Sequence, residues 1–310
     1  MVRRTISLTK AFAGLAGLFL TGTAAAEPLV GPWPTPSPTP VLLLGTPHLS
    51  GMEKLQPEWL DPLLDQLAAW KPGVITIEAP SGPECFLLRR YEKSWPDTAQ
   101  SYCARVEAIS ALAGKALGLD MPAAEAAAEE AVQKLGPAST AAERRRMGGL
   151  FAAAGNLGSA ATQWLRLPVS ERPAGDGVSP ALATELDDLS KRRNENFLIA
   201  ATLAARLGLE RIYPTDSHLA DRVQAEAPPG LGAAMREIWS GSPLPLADEA
   251  RKGMQDIASA ETLLAYYRFV NRDDVAGQRF DRIWARLSSP HRPVSTAGAM
   301  LAGGNPATFP

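Results

Sequence analysis

Four side chains suited to metal binding or proton transfer close three apolar runs of this chain. His48 ends VLLLGTPH (41–48), Glu78 ends VITIE (74–78), and Asp216 and His218 end RIYPTDSH (211–218). An imidazole titrates near neutral pH, so it can hold an ion or move a proton, and a carboxylate can share the ion or orient the ring. The chain has 3 histidines, and two of them stand in these runs. Short apolar runs of this kind predict buried strands, and an open α/β sheet builds its site just past the carboxyl ends of its strands. The expectation is one rim where His48, Glu78, Asp216 and His218 hold a divalent ion, zinc or manganese, with His48 and Glu78 as the catalytic pair. Arg193 and Glu195, on the helical face that leads into the third run, are candidate substrate-binding residues.

Plainer readings stand beside each of these. His48 could be a loop histidine bonded to its own backbone, and Glu78 could pair with Arg89 or Arg90. Asp216 could cap a helix beginning near Leu219, a common role for Asp after a strand. Arg193 and Glu195 could belong to a solvated helix start, where acids are favoured anyway. Gly45-Thr46-Pro47-His48 is the sharpest motif, because a glycine at a strand end permits a tight turn and Pro47 stiffens the approach to His48.

The elements that must position these residues follow from periodicity. Leu60, Leu63, Leu64 and Leu67 predict a helix over 57–70, stopped by Pro72-Gly73. Strand, helix and strand then make a βαβ unit with a parallel pair. The segments 86–117, 122–135, 139–154 and 157–166 are alanine-rich with helical spacing, and 168–180 reads as a loop. A further helix over 182–207 leads into the third strand, and 231–287 is again helical. The fold class is α/β: a small, mainly parallel sheet with flanking helices and a helical insertion at about 84–190 within a domain over 41–289. Residues 290–310, with the third histidine at His291, have no clear period.

The N-terminus predicts export. Arg3, Arg4 and Lys10 precede a short apolar core, and Ala24-Ala25-Ala26 offers a small-residue cleavage site, so 1–26 reads as a signal peptide. Residues 27–40 are a proline-rich leader. Cleavage takes three of the 31 basic residues and leaves 28 against 33 acidic ones, a formal charge of −5. Arg144-Arg145-Arg146 is the one basic run and reads as a solvated helix face, so no nucleic-acid partner is expected. No later run is long enough to span a membrane. In a periplasmic or secreted protein, Cys85 and Cys103, the only cysteines, favour a structural disulfide.

A nucleophile elbow, a Walker loop, a dinucleotide glycine fingerprint and an HExxH helix are all missing, which removes most support from serine-hydrolase, nucleotide and zincin chemistry. The Gly-Thr-Pro-His strand end, Glu78, the Asn194-Glu195 helix running into YPTDSH and the LLAYYRFVN stretch (263–271) together resemble an uncharacterised bacterial exported family. That family is similar to the TraB/PrgY, Tiki and erythromycin-esterase/ChaN-like superfamily. The resemblance implies an α/β fold around a central site, with His48 as the first motif histidine and Glu78 as the strand-end glutamate. It also implies a second G-x-x-H near the C-terminus, which this chain lacks, as if truncated relative to its relatives.

These features predict an exported hydrolase of an ester or amide bond in a small molecule or peptide, using a metal-bound water or His48 as base. The alternatives are a non-catalytic protein that binds haem or a small molecule, and an inactive relative.

Overall fold

The computed structural model describes residues 40–239, 246–275 and 277. Helix α1 (Asp61–Trp70) continues a 3-10 turn at Pro57–Leu60 and buries Leu63 and Leu64. Strand β1 (Thr76–Ile77) follows. A helical lobe then runs through α2 (Gly82–Arg90), α3 (Ala104–Leu117), α4 (Met121–Val132), α5 (Ala141–Ala153), α6 (Leu157–Leu165), α7 (Pro180–Lys191) and α8 (Thr202–Leu207). Strand β2 (Tyr213–Pro214) comes next, then α9 (Asp221–Ala225), α10 (Leu231–Trp239), α11 (Ala247–Gln255) and α12 (Ala260–Val270).

Local chemistry sets the helix ends. Ser81, Asp120, Thr140, Asn156 and Ser179 each accept a backbone N–H three residues on, satisfying a donor that the first turn leaves free. Gly118 and Gly208 adopt left-handed conformations (φ 69° and 72°) that terminate α3 and α8.

The two strands pair in parallel, Thr76 opposite Tyr213 and Ile77 opposite Pro214. Bonds from Thr215 N–H to the Ile77 carbonyl and from Asp216 N–H to the Ala79 carbonyl extend the ladder. The fold is therefore α/β, dominated by helix, with a small parallel sheet whose strands are joined through the helical lobe. Helix α6 backs the sheet at unusually close range. A Cβ on Gly158 would lie 2.7 Å from Ile212 Cδ1 and 3.0 Å from Ile77 Cδ1. Beside it, Ser159 Oγ donates to the Ile212 carbonyl at 2.9 Å and accepts the Ile212 N–H at 3.1 Å. One hydroxyl thus satisfies backbone groups that a neighbouring strand would otherwise pair.

Several expectations change. The run at 41–45 is not a strand: residues 40–48 have no regular structure, and Val41 and Leu43 are exposed. Gly45 bonds instead to a side-chain amide, donating to Asn271 Oδ1 at 2.6 Å and accepting from Asn271 Nδ2 at 2.9 Å. The parallel partner of β1 is accordingly β2, and no βαβ unit forms around α1. The helix expected over 86–117 divides at a loop where Asp97 takes a left-handed conformation (φ 64°). The helix expected over 182–207 breaks at Arg192, which is extended, and resumes as a π-helical turn over Asn196–Ala201 leading into α8. The signal segment and nearly all of the leader, the irregular tail and His291 lie outside the described residues.

Arg144 is not solvated but 6 % exposed. Its guanidinium donates to Gln163 Oε1 and Glu210 Oε2, both at 3.1 Å, and to the Gly136 carbonyl at 2.8 Å. Arg166 meets the same Glu210 carboxylate at 2.7 Å. Burial alone would raise the Glu210 pKa, but bonds from Gln163 and Arg166 and the two arginine charges hold it low. This network ties α5 and α6 to the entry of β2.

Cys85, in α2, and Cys103, just before α3, form a disulfide with Cα atoms 5.4 Å apart. Both are fully buried and pack with Leu88 and Ala99.

Candidate functional site

His48 leaves the irregular segment at the start of a 3-10 turn (Leu49–Gly51), and Glu195 directly precedes the π-helical turn. The two side chains meet, with His48 Nδ1 2.8 Å from Glu195 Oε1. Glu195 Oε2 accepts the Leu49 N–H at 3.2 Å. An ionised carboxylate only accepts, so the Nδ1 proton lies toward Glu195 and the lone pair of a neutral ring sits on Nε2. The imidazole side chain is 80 % exposed and the glutamate 16 %, so a fixed carboxylate orients an open ring. The hydrogen bond and charge of Glu195 raise the His48 pKa above its ordinary 6.5, against slight desolvation, and the charge of Glu78 adds to the rise.

Three contacts hold this arrangement. Asn271, at the end of α12, clamps Gly45 three residues before His48. Arg193 donates to the backbone carbonyls of Met52 (3.3 Å) and Glu53, pinning the turn after His48. Its guanidinium therefore holds backbone through Nη1. Asn196 Nδ2 donates to the Glu78 carbonyl at 3.0 Å, tying the end of β1 to the π-helical turn. Glu78 itself is exposed and influences His48 through charge. Arg89 is not its partner, being bidentate to Glu107 at 2.9 and 2.7 Å.

Asp216 and His218 form a different group. His218 Nδ1 lies 3.2 Å from Asp221 Oδ2, and Nε2 lies 3.1 Å from Asp216 Oδ2 without the alignment of a hydrogen bond. The ring is 12 % exposed and stacks on Tyr102, centroids 3.4 Å apart and planes 18° apart. Glu84 Oε1 accepts from Ser217 Oγ at 3.1 Å and from the His218 N–H at 2.5 Å. Trp95 Nε1 donates to the Leu219 carbonyl at 3.0 Å. Asp216 caps no helix, since α9 begins at Asp221.

Of the four expected ligands only Asp216 and His218 are brought together, with Asp221 as a third member, while His48 pairs with Glu195 and Glu78 reaches it only through charge. Among the described residues no group of three or more His, Cys, Asp or Glu side chains is arranged to hold a metal ion. Both nitrogens of His218 face carboxylates, whereas the Nε2 lone pair of His48 is open. His48 can act as a base without a bound ion. Two grooves also lie away from His48. One of about 480 Å³ is bordered by Phe86, Arg90, Ala111, Lys115 and Met121, and one of about 520 Å³ by Arg166, Thr202 and Arg206. His48 borders neither of them.

Sequence reasoning named Glu195 but not its role as partner of His48. The break at Arg192 sets that role, by turning the start of the π-helical segment toward the Gly-Thr-Pro-His turn. Such π-helical insertions recur at functional sites. Comparison with protein-family models, curated proteins and solved structures returns no match.

Proposed function

We propose that this chain is a hydrolase of ester or amide bonds in which His48 is the general base and Glu195 orients it. The observation that carries this reading is the 2.8 Å bond from an open imidazole to a largely buried carboxylate. Such a bond fixes the tautomer and aims Nε2 outward, as a base–orienter pair requires. A water held at Nε2 attacks the substrate carbonyl while its proton passes to the ring. The imidazolium that forms is stabilised by Glu195 and, at longer range, by Glu78. Collapse of the tetrahedral intermediate breaks the bond to the leaving oxygen or nitrogen, which takes the proton back from Nε2. The products are an acid and an alcohol or amine, and the base is regenerated. Export would place the protein where the Cys85–Cys103 bridge persists.

The test is hydrolysis of p-nitrophenyl acetate and a peptide p-nitroanilide by the purified protein, by His48→Ala, and by the wild type in EDTA. His48→Ala should lose roughly 10²–10⁴-fold of the turnover, the usual contribution of a positioned base, and EDTA should change nothing. Equal turnover in His48→Ala refutes the proposal. Activity lost in EDTA and restored by zinc or manganese replaces it with the metal-dependent reading.

A further inference from the structure

Among the described residues, three buried side-chain polar atoms have no hydrogen-bond partner: Arg211 Nε, His218 Nε2 and Tyr267 OH. Two belong to groups engaged elsewhere. Arg211 pairs with Glu129 through Nη1, and His218 Nε2 lies against Asp216. Tyr267 differs, because its hydroxyl is the side chain's only polar atom and the residue is 1 % exposed. A buried hydroxyl without a partner destabilises a fold, and phenylalanine would fill nearly the same space without that cost. An expensive group that packing does not need points to use.

Its place indicates which use. Tyr267 belongs to the apolar cluster that contains Leu49, Leu198 and Ile199. Leu49 follows His48 directly, and Leu198 and Ile199 lie in the π-helical turn that Glu195 precedes. Tyr267 thus packs with the chain segments behind both members of the pair. From the same helix, Asn271 holds Gly45 while also donating to the Tyr267 carbonyl at 2.9 Å. The Glu195 carboxylate has spare capacity on one side. Oε1 has the short bond to His48, whereas Oε2 accepts only the 3.2 Å bond from Leu49 N–H, and a carboxylate oxygen can take two.

We propose that Tyr267 is a positioning residue for the His48–Glu195 pair: when substrate fills the site, its hydroxyl donates to Glu195 Oε2 and locks the carboxylate plane that aims the imidazole. Bonds of this kind often close only in the substrate complex. Burial pushes the phenol pKa up, and the nearby charge of Glu195, then Tyr266, pushes it further, so the group stays a neutral donor throughout the working range. The titratable groups around it in this account are Glu195, Tyr266 and, beyond Glu195, His48. In this role the tyrosine acts through Glu195.

This role rests on the hydrolase reading, so Tyr267→Phe and His48→Ala are assayed together with the wild type. Turnover and KM are measured on p-nitrophenyl acetate, and stability by urea unfolding. Tyr267→Phe should unfold at an equal or higher urea midpoint, because it removes an unsatisfied hydroxyl. Its kcat should fall roughly ten- to a hundredfold with KM little changed, the scale of one hydrogen bond to a charged group. A lower midpoint would show that the hydroxyl already has a structural partner and would overturn the proposal. Unchanged kcat in Tyr267→Phe, beside an inactive His48→Ala, overturns the tyrosine's role alone. Full turnover in His48→Ala overturns the hydrolase reading and the tyrosine's role with it.

Discussion

Replacing Glu195 by glutamine separates catalysis from stability. The carboxylate accepts two hydrogen bonds, 2.8 Å from His48 Nδ1 and 3.2 Å from Leu49 N–H. A glutamine of the same shape either turns its oxygen to Leu49 and its NH₂ to His48, which selects the wrong tautomer with the proton on Nε2, or keeps the His48 bond and sets its NH₂ against the Leu49 N–H. The ion pair itself is open on the histidine side, and exposed pairs contribute only about 0–1 kcal/mol. Where the amide turns its NH₂ to Leu49, losing that bond adds about 1 kcal/mol. The variant should therefore unfold within roughly 2 kcal/mol of the wild type. Catalysis should suffer far more, because the tautomer and aim of the base are lost together, a loss on the order of 10²-fold or greater. The pH profile supplies a second check. With its pKa raised by Glu195, His48 is fully deprotonated only above its ordinary 6.5, so wild-type turnover should climb through a pKa on the alkaline side of that value. In Glu195→Gln the climb should move toward acid while the plateau drops. Ester hydrolysis followed from pH 5 to 9, with urea unfolding at each end, reads all three quantities. A variant that keeps its plateau rate, or loses rate only in proportion to its unfolded fraction, would refute the base–orienter assignment.

Two further predictions concern the scaffold. Reduction, or Cys85→Ala with Cys103→Ala, should cost about 3 kcal/mol by releasing a loop with a sequence separation of 18; it should also raise hydrogen exchange across 217–222, and unchanged protection there would disprove the coupling. Glu210→Gln leaves Arg144 and Arg166 partly uncompensated and should lower stability by about 3 kcal/mol near neutral pH. Because the Glu210 pKa is depressed in the fold, its stabilising contribution exists above the ordinary carboxylate pKa and fades as pH falls through the folded value. The gap between wild type and variant in urea midpoint should therefore narrow in acid, and a constant gap would contradict the network's assignment.

Legibility in the sequence followed physical scale. Helices announced themselves by spacing: Leu60, Leu63 and Leu64 mark the region of α1, and the alanine-rich segment 139–154 holds α5. The strand ends at Glu78 and Asp216 were legible too, and these two segments do pair. Val41 to Leu44 misled because an apolar run records composition and not partners, and Asn271, 226 residues away, supplies the bonds that a strand would have given Gly45. Arg144 was misread for the same reason: Glu210 and Gln163 are distant in sequence, and only packing puts them beside it. At the site, the sequence pointed to His48 and to Glu195 separately. Their pairing depends on a helix break at Arg192, and the unpartnered hydroxyl of Tyr267 depends on burial, neither of which leaves a trace in spacing.

The disulfide reaches well beyond its own loop. Glu84, Trp95 and Tyr102 adjoin or lie within the segment it closes, and all three grip the chain at 217–219, across sequence distances of 134 and 124 residues for the first two. The bridge therefore braces the cradle in which the stretch beyond β2 sits. Reducing the bridge should loosen that stretch and make it the first target of added protease.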